Sequence, residues 1–521
     1  MASVNSGPGD PRSAKEANSR SDAKEWQDAM EQELASIKQR EVWELADKDS
    51  MPASARELRT KFIFKLKHPE DPTRRRYKAR LVVMGNTQVP GVDFTESFSP
   101  VAMDSTIRMV LALANHRDWE VKQFDVEVAF LNANLEEPTW VRPPDGISIG
   151  EGKTLRLRKA LYGLVQAPLA WMRTFVVELK RLGFERSRAD PCLMIKRMEG
   201  GLVILVIYVD DCLAVGFPKS AVRETVEAIG SRIKIDDMGD AELYLGFKIS
   251  RDREQGMLRL HQKEYLEGML QEFGVRKTHK ASTPGLVGHR LDADCGGEQA
   301  DEKQYRSGVG KLMYAVKTTR PDLANATREL AKCLKEPKGE HMLALERAMQ
   351  YVSGTTDLGL TYSRKGELQL EAFVDADYAG DVNNRRSTTG FLIMFGGAAV
   401  SWKSKLQPTV SLSSSEAEYR ALSECGAEVA HLHQVGLDIG LRMEQTPIYE
   451  DNTGAISLAE NWSSGTRTKH VDVRYHHVRE MVESKMVKIK YIRSEEQPAD
   501  ILTKNSSYAG FARHRNFMLG R

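Results

Sequence analysis

The chain has 521 residues, of which 41% are hydrophobic and 28% charged, the balance of soluble globular proteins; three or four folding units are expected rather than a disordered chain. A net charge of +2 lends little weight to a polyanionic partner, and the longest strongly apolar stretch, Leu202 to Tyr208, is too short to span a bilayer, so no membrane partner is expected. The five cysteines are scattered, with no CxxC pair and no zinc spacing, as suits a reducing compartment.

Taken in chain order, residues 1–22 have no apolar core of a secretory signal, and their Gly, Pro and Ser content predicts a floppy tail. A helix should follow, capped by Asp22 with Glu25 three residues on and striped by Trp26, Met30, Leu34 and Ile37. From Arg59 to Arg80 the chain is densely basic with aromatics interleaved, a pattern that suits a phosphate backbone or a solvated loop. Helical and β-rich runs then alternate to about residue 285, where KASTPGLVG marks a boundary. Residues 303–354 read as helical, with Leu323, Ala326, Leu330 and Leu334 in one stripe and Met342, Leu345, Met349 and Val352 in another that stops at Gly354. In the last portion LQLEAFVDADYAG and GFLIMFGGAAVSWKS are strand-like, a helix ends at Gly440, and MVKIKYIR alternates, which predicts a mixed α/β domain. The units are thus 1–22, 23–285, 286–364 and 365–521.

The run VIYVDDCLAVG places Asp210 and Asp211 inside an apolar stretch. Neighbours on a regular strand face opposite sides, so two aspartates address one site only from a tight turn, with Val203 to Val209 and Cys212 to Val215 as its flanking strands. Adjacent anions repel, and a divalent cation between them offsets that repulsion. A third acid is then expected on a neighbouring strand, and Asp125 supplies it by opening an alternating segment with Val126, Val128 and Phe130 on one face. The bland reading is an ordinary turn, since aspartates favour turns.

QFDVEVAFLNANL, LRKALYGLVQAPLAW, VIYVDDCLAVG and DMGDAELYLGFKIS, in this order, resemble successive motifs of the reverse transcriptase of copia-type LTR retrotransposons, and the resemblance runs from about Trp26 to the C-terminus. It implies an α+β multidomain chain: a right-hand polymerase with fingers and palm over 23–285 and a helical thumb or connection over 286–364, followed by a ribonuclease H-like mixed α/β domain. The implied metal ligands are Asp125, Asp210 and Asp211, with the main chain at Val126 completing the shell. Phe130 matches an aromatic gate that favours deoxynucleotides, Lys78 and Arg80 match cations for the incoming triphosphate, and Tyr162, Gly163 and Gln166 match the loop that packs on the new base pair. Val165 stands where the family usually has lysine, and NANL replaces the usual Asn-Gly turn.

Four more acids lie on separate elements: Asp375 on a strand, Glu418 in the first turn of a helix starting near Ser415, Asp451 ending the strand TPIYED, and Asp500 opening a last helix. This set resembles the ribonuclease H centre of the same elements, with Glu418 preferred to Glu416 because AEYRAL fits the pattern. Tyr378 replaces the common tryptophan. Each acid singly could be a cap or turn residue.

The resemblance implies an RNA-directed DNA polymerase with ribonuclease H activity, using two Mg2+ or Mn2+ ions per site. Its implied partners are an RNA template, a DNA primer, the RNA–DNA hybrid, deoxynucleoside triphosphates and other retrotransposon Pol and capsid parts, with a cytoplasmic virus-like particle or the nucleus as location. The alternatives are a decayed or host-adopted remnant that binds nucleic acid without catalysis, and a nuclease alone. GVGKLMY fails the phosphate-loop pattern and reads as a helix start, the His431/His433 and His476/His477 pairs lack companion ligands, and NWS at Asn461 would be a glycosylation acceptor only in a secreted chain.

Overall fold

The computed structural model of the protein describes residues 9–68, 71, 73–276, 280–460 and 472–521, the side chains of 472–476 excepted. Asn461 and the His476 side chain therefore lie outside the described residues.

The expected tail is in part ordered. Ser13 caps a short helix, Ala14–Asn18, whose Ala17 is fully buried, and the Asp10 carboxylate accepts a 2.9 Å bond from the Leu66 amide. One small apolar residue and one cap suffice here because the next helix, Ala23–Gln39, provides a surface to pack on. That helix carries the expected stripe, with Trp26 edge-on to Phe64 and Tyr77 at 5.3 and 4.7 Å. Asp22 makes no capping bond; its carboxylate pairs with Arg20 at 2.9 Å. The basic segment is a two-stranded hairpin, Thr60–Lys67 with Arg76–Val83, resting on the helix.

The palm is a six-stranded sheet in the spatial order Ile235–Asp240, Glu120–Val126, Asp211–Phe217, Gly201–Tyr208, Leu193–Met198, Glu185–Arg186. Gly201–Tyr208 is central and covered on both faces, which explains its unbroken apolar run. Helices Asp104–His116 and Lys219–Gly230 pack against the sheet. The alternation expected beyond Asp125 does not occur: the strand ends at Val126, Val128 turns left-handed at φ 48°, and Phe130 lies in the 3-10 turn Ala129–Asn132.

A smaller sheet, Leu243–Tyr244, Phe247–Asp252 and Met257–His261, takes its fourth strand, Gly359–Ser363, from beyond the helical module. That module comprises Glu302–Thr318, Ala324–Ala331 and Gly339–Ser353; GVGKLMY lies inside its first helix rather than at a start. The buried Arg320–Asp322 pair, 2.8 Å apart, anchors it, with the Tyr351 hydroxyl donating to Asp322 at 2.7 Å.

The C-terminal sheet runs Ala398–Leu406, Thr388–Phe395, Glu371–Asp377, Thr446–Glu450, Val487–Tyr491, the first three antiparallel and the last two parallel to Glu371–Asp377. GFLIMFGGAAVSWKS folds as two strands because Gly396 and Gly397, at φ 64° and 91°, form the turn. Helix Ser414–Ile439, capped by Ser413 and closed by left-handed Gly440, crosses this sheet. The domain docks directly on the palm. Arg108 of the palm helix donates to the carbonyls of Val400, Lys317 and Thr318 at 2.8–3.1 Å, and Asp438 accepts from Ser187 Oγ at 2.6 Å. The α+β, fingers-and-palm architecture followed by a mixed α/β domain is the expected fold class. No helix among the described residues is long and apolar enough to cross a membrane.

Candidate active sites: two carboxylate centres

Tyr208 pairs with Asp211 across the central hairpin, which leaves Val209 and Asp210 as a two-residue turn with Val209 at φ 63°. The turn is held from two sides: the Val126 amide donates to the Asp210 carbonyl at 2.8 Å and the Trp171 indole to the Val209 carbonyl at 2.7 Å. Asp211 lies directly opposite Asp125 on the neighbouring strand, and directly opposed residues point to one face. The fold thus brings Asp125, Asp210 and Asp211 to one end of the sheet, with Val126 beside them. Burial, then the charge of Asp210, pushes Asp125 up to about 6. Burial also pushes Asp211 up to about 7, opposed by a 2.9 Å bond from Gln123 Nε2 and reinforced by Asp125 and Asp210. Two residues were not anticipated. Gln123, 3% exposed, shares the face of Asp125 two positions away, and Asp236 pairs with Asp125 from the opposite edge.

Cations approach from the fingers. Burial, then the charges of Arg80, Lys67 and Arg76, lowers Lys78 to about 8. Lys78 and Arg80 both hold the Asp125 pKa down, and the Arg80 guanidinium lies 4.6 Å from the Tyr162 ring centroid. Phe130 packs on Tyr162 at 5.1 Å. Gly163, at φ 90°, lets the loop touch the fingers hairpin, since a Cβ there would stand 2.1 Å from the Val83 carbonyl oxygen. Gln166 is not presented outward: its amide oxygen accepts from Gln88 at 3.0 Å, in a buried pair that braces the loop. The apolar start of helix Ala167–Arg181 draws it inward.

In the second centre, Asp375, Glu418 and Asp451 each place a carboxylate oxygen within 4.8 Å of the others, the only such group among the described residues. Asp375 projects from Glu371–Asp377, Glu418 from the long helix, and Asp451 follows Thr446–Glu450. Glu418 is in the second helical turn, not the first, because the helix begins at Ser414. Glu416, two residues earlier, faces away and bonds Arg420 at 2.6 Å and the Leu412 amide at 2.7 Å, since residues two apart do not share a helix face. Asp500 lies in the 3-10 turn Pro498–Leu502, ahead of the last helix Tyr508–Met518, and pairs with Lys504 at 3.0 Å. Pro498 at its first position and the Ala499 amide donating to the Gln497 side-chain oxygen make that turn local and tight.

Burial, then Asp500, pushes Asp375 up to about 7, against Lys504 and a hydrogen bond from the Thr503 hydroxyl. Burial, then Glu450, raises Glu418 well above the usual carboxylate range. Glu450, 0% exposed, is a fifth acid that sequence reading missed; alternation with Thr446 and Ile448 turns it inward. Glu418 Oε2 and Glu450 Oε2 are buried with no hydrogen-bond partner. Orphaned buried oxygens in an all-carboxylate set fit a hard divalent cation better than any neutral ligand.

Residues 40–287 match the family described as reverse transcriptase (RNA-dependent DNA polymerase). The chain is 39% identical over 505 residues to the retrovirus-related Pol polyprotein from transposon TNT 1-94 of Nicotiana tabacum, covering 95% of the chain and 38% of that polyprotein. It is 34% identical over 489 residues to the corresponding polyprotein from transposon RE2 of Arabidopsis thaliana, covering 93% of the chain and 33% of the relative. The chain thus spans about a third of the length of either relative. Among solved structures, a foamy viral protease–reverse transcriptase in complex with double-stranded DNA is similar at a TM-score of 0.45 and 13% identity, over 90% of this chain and 70% of that one. The chain belongs to the Pol family of copia-type retrotransposons.

Proposed function

We propose that the chain is an RNA-directed DNA polymerase with an attached ribonuclease H. It would extend a DNA primer on an RNA template with deoxynucleoside triphosphates and then cut the RNA strand of the hybrid. The observation that carries this reading is the register that sets Asp211 against Asp125 with Asp210 at the hairpin tip, in a chain of the reverse transcriptase family.

Asp125, Asp210 and Asp211 would hold two Mg2+ or Mn2+ ions, and Asp375, Glu418, Asp451 and Asp500 a second pair. Such ions, when bound, neutralise the attacking and leaving oxygens of a phosphoryl displacement. Lys78 and Arg80 would neutralise and orient the triphosphate, and Arg80, whose guanidinium lies 4.6 Å from the Tyr162 ring centroid, would offer it two parallel hydrogen bonds. Phe130, backed by Tyr162, would crowd a 2'-hydroxyl. Lys504, beside Asp500, tempers repulsion among the ribonuclease acids. Other Pol and capsid parts would act with the chain in a cytoplasmic particle or the nucleus. Primer extension on an RNA template with magnesium tests the reading: the chain should add deoxynucleotides and Asp210→Asn should not, whereas extension undiminished in Asp210→Asn would refute it.

A further inference from the structure

The geometry points to a positioning residue for nucleotide binding: Glu33, on the helix Ala23–Gln39, holds the fingers strand Arg76–Val83 so that Lys78 and Arg80 face the triphosphate, and nucleotide affinity depends on it. This inference rests on the polymerase reading above.

Glu33 stands where an apolar residue belongs. The buried residues of its helix are Trp26, Ala29, Glu33 and Ile37, three and four positions apart along one face. Three of them are apolar, and the fourth is a carboxylate only 9% exposed, which burial raises above its ordinary pKa. A carboxylate on such a stripe costs stability unless its contacts compensate, and departures of this kind gather at functional sites.

Its contact is the open edge of the fingers hairpin. The hairpin has only two strands, so each presents one edge with no strand beside it. On Arg76–Val83 the Leu81 amide donates to Glu33 Oε1 at 3.2 Å and the Val83 amide to the Tyr162 carbonyl at 2.7 Å. On Thr60–Lys67 the Leu66 amide donates to Asp10, whose carboxylate also lies 3.5 Å from Lys65. Acids from residues 9–39 therefore cap both edges, and that segment precedes the stretch 40–287 matched by the reverse transcriptase family. Of the two caps, Asp10 is beside the hairpin turn, whereas Glu33 is beside Arg80.

The amide that Glu33 holds belongs to the peptide joining Arg80 to Leu81, so the bond fixes that plane and with it the direction in which Arg80 leaves the strand. Lys78 and Arg80, two residues apart, share one face of the strand. Tyr77, Ala79 and Leu81 share the other, which meets the helix where Tyr77 packs edge-on to Trp26. The Glu33 charge acts on both cations and favours the protonated form of Lys78, which burial and then the neighbouring cations lower to about 8. Removing Glu33 frees the peptide without deleting any group that touches nucleotide or metal. The loss should therefore fall on nucleotide binding and spare the chemical step, whose acids stand on the palm.

The test is single-turnover addition of one deoxynucleotide to a primer on an RNA template, with the nucleotide concentration varied to separate apparent Kd from maximal rate. Glu33→Ala and Glu33→Leu should each raise the apparent Kd about tenfold and leave the maximal rate within about twofold. Glu33→Leu keeps the stripe filled, and melting temperatures accompany every variant. Glu33→Gln, which keeps an acceptor for the Leu81 amide, should bring the apparent Kd back to within about threefold of wild type. Glu31→Ala, on the exposed side of the same helix, should change neither parameter. An unchanged apparent Kd in Glu33→Leu, no rescue by Glu33→Gln, or an equal loss in Glu31→Ala would overturn the assignment while leaving an active polymerase. A wild-type chain that adds no nucleotide would overturn the polymerase reading and this inference with it.

Discussion

Asp211 makes a prediction about stability that does not depend on turnover. Burial first, then Asp125 and Asp210, hold its carboxyl at about 7 against an ordinary 3.8, with Gln123 partly opposing. A raised acid binds more protons folded than unfolded between these values, so its contribution to stability is present at low pH and is lost as pH rises from about 4 to about 7. Three units at about 1.4 kcal/mol each set a ceiling near 4 kcal/mol, and partial solvent access reduces this to about 2–3 kcal/mol. In EDTA, Asp211→Asn should therefore be more stable than wild type at pH 8 by about that amount, by roughly a third of it at pH 5, and nearly equal to wild type only below about pH 4. Magnesium should reverse the order at pH 8, because it stabilises the ionised wild-type centre. Hydrogen exchange of the amides of Glu120–Val126 and Asp211–Phe217 reads the local stability, which avoids treating a multidomain melt as two-state. Parallel pH profiles of wild type and variant in EDTA would refute the argument that burial strains this acid.

Three further outcomes follow from packing. Gly163→Ala places a Cβ 2.1 Å from the Val83 carbonyl oxygen at a left-handed position and should cost about 2–5 kcal/mol, read as a lowered melting temperature and faster exchange in the fingers hairpin. Phe130→Ala, which removes the ring resting on Tyr162, should raise ribonucleotide incorporation relative to deoxynucleotide by about 10- to 200-fold in single-nucleotide extension. Glu418→Gln should abolish hybrid cleavage, whereas Glu416→Ala should retain it and lose only about 1 kcal/mol of helix stability by thermal melting.

The sequence made the palm hairpin legible because an apolar run interrupted by two acids has few other foldings, and Gly440 announced the end of its helix by the φ it adopts. Side-chain direction was harder to read. Gln123, Asp236 and Glu450 became visible only once strand ends and partners fixed which way each residue pointed, and a one-residue error in register reverses that direction. Glu418 was selected by motif, but its turn of the helix depended on a cap at Ser413. The return of Gly359–Ser363 to the strands before the helical module is a long-range pairing with no local signal.

Two independent carboxylate centres on one chain should be separable by mutation. The most direct measurement compares Asp210→Asn and Asp451→Asn in paired assays, primer extension on an RNA template and cleavage of a preformed RNA–DNA hybrid. Asp210→Asn should lose extension and keep cleavage, and Asp451→Asn should keep extension and lose cleavage. Both activities surviving both substitutions, or each substitution abolishing both in a folded chain, would contradict it.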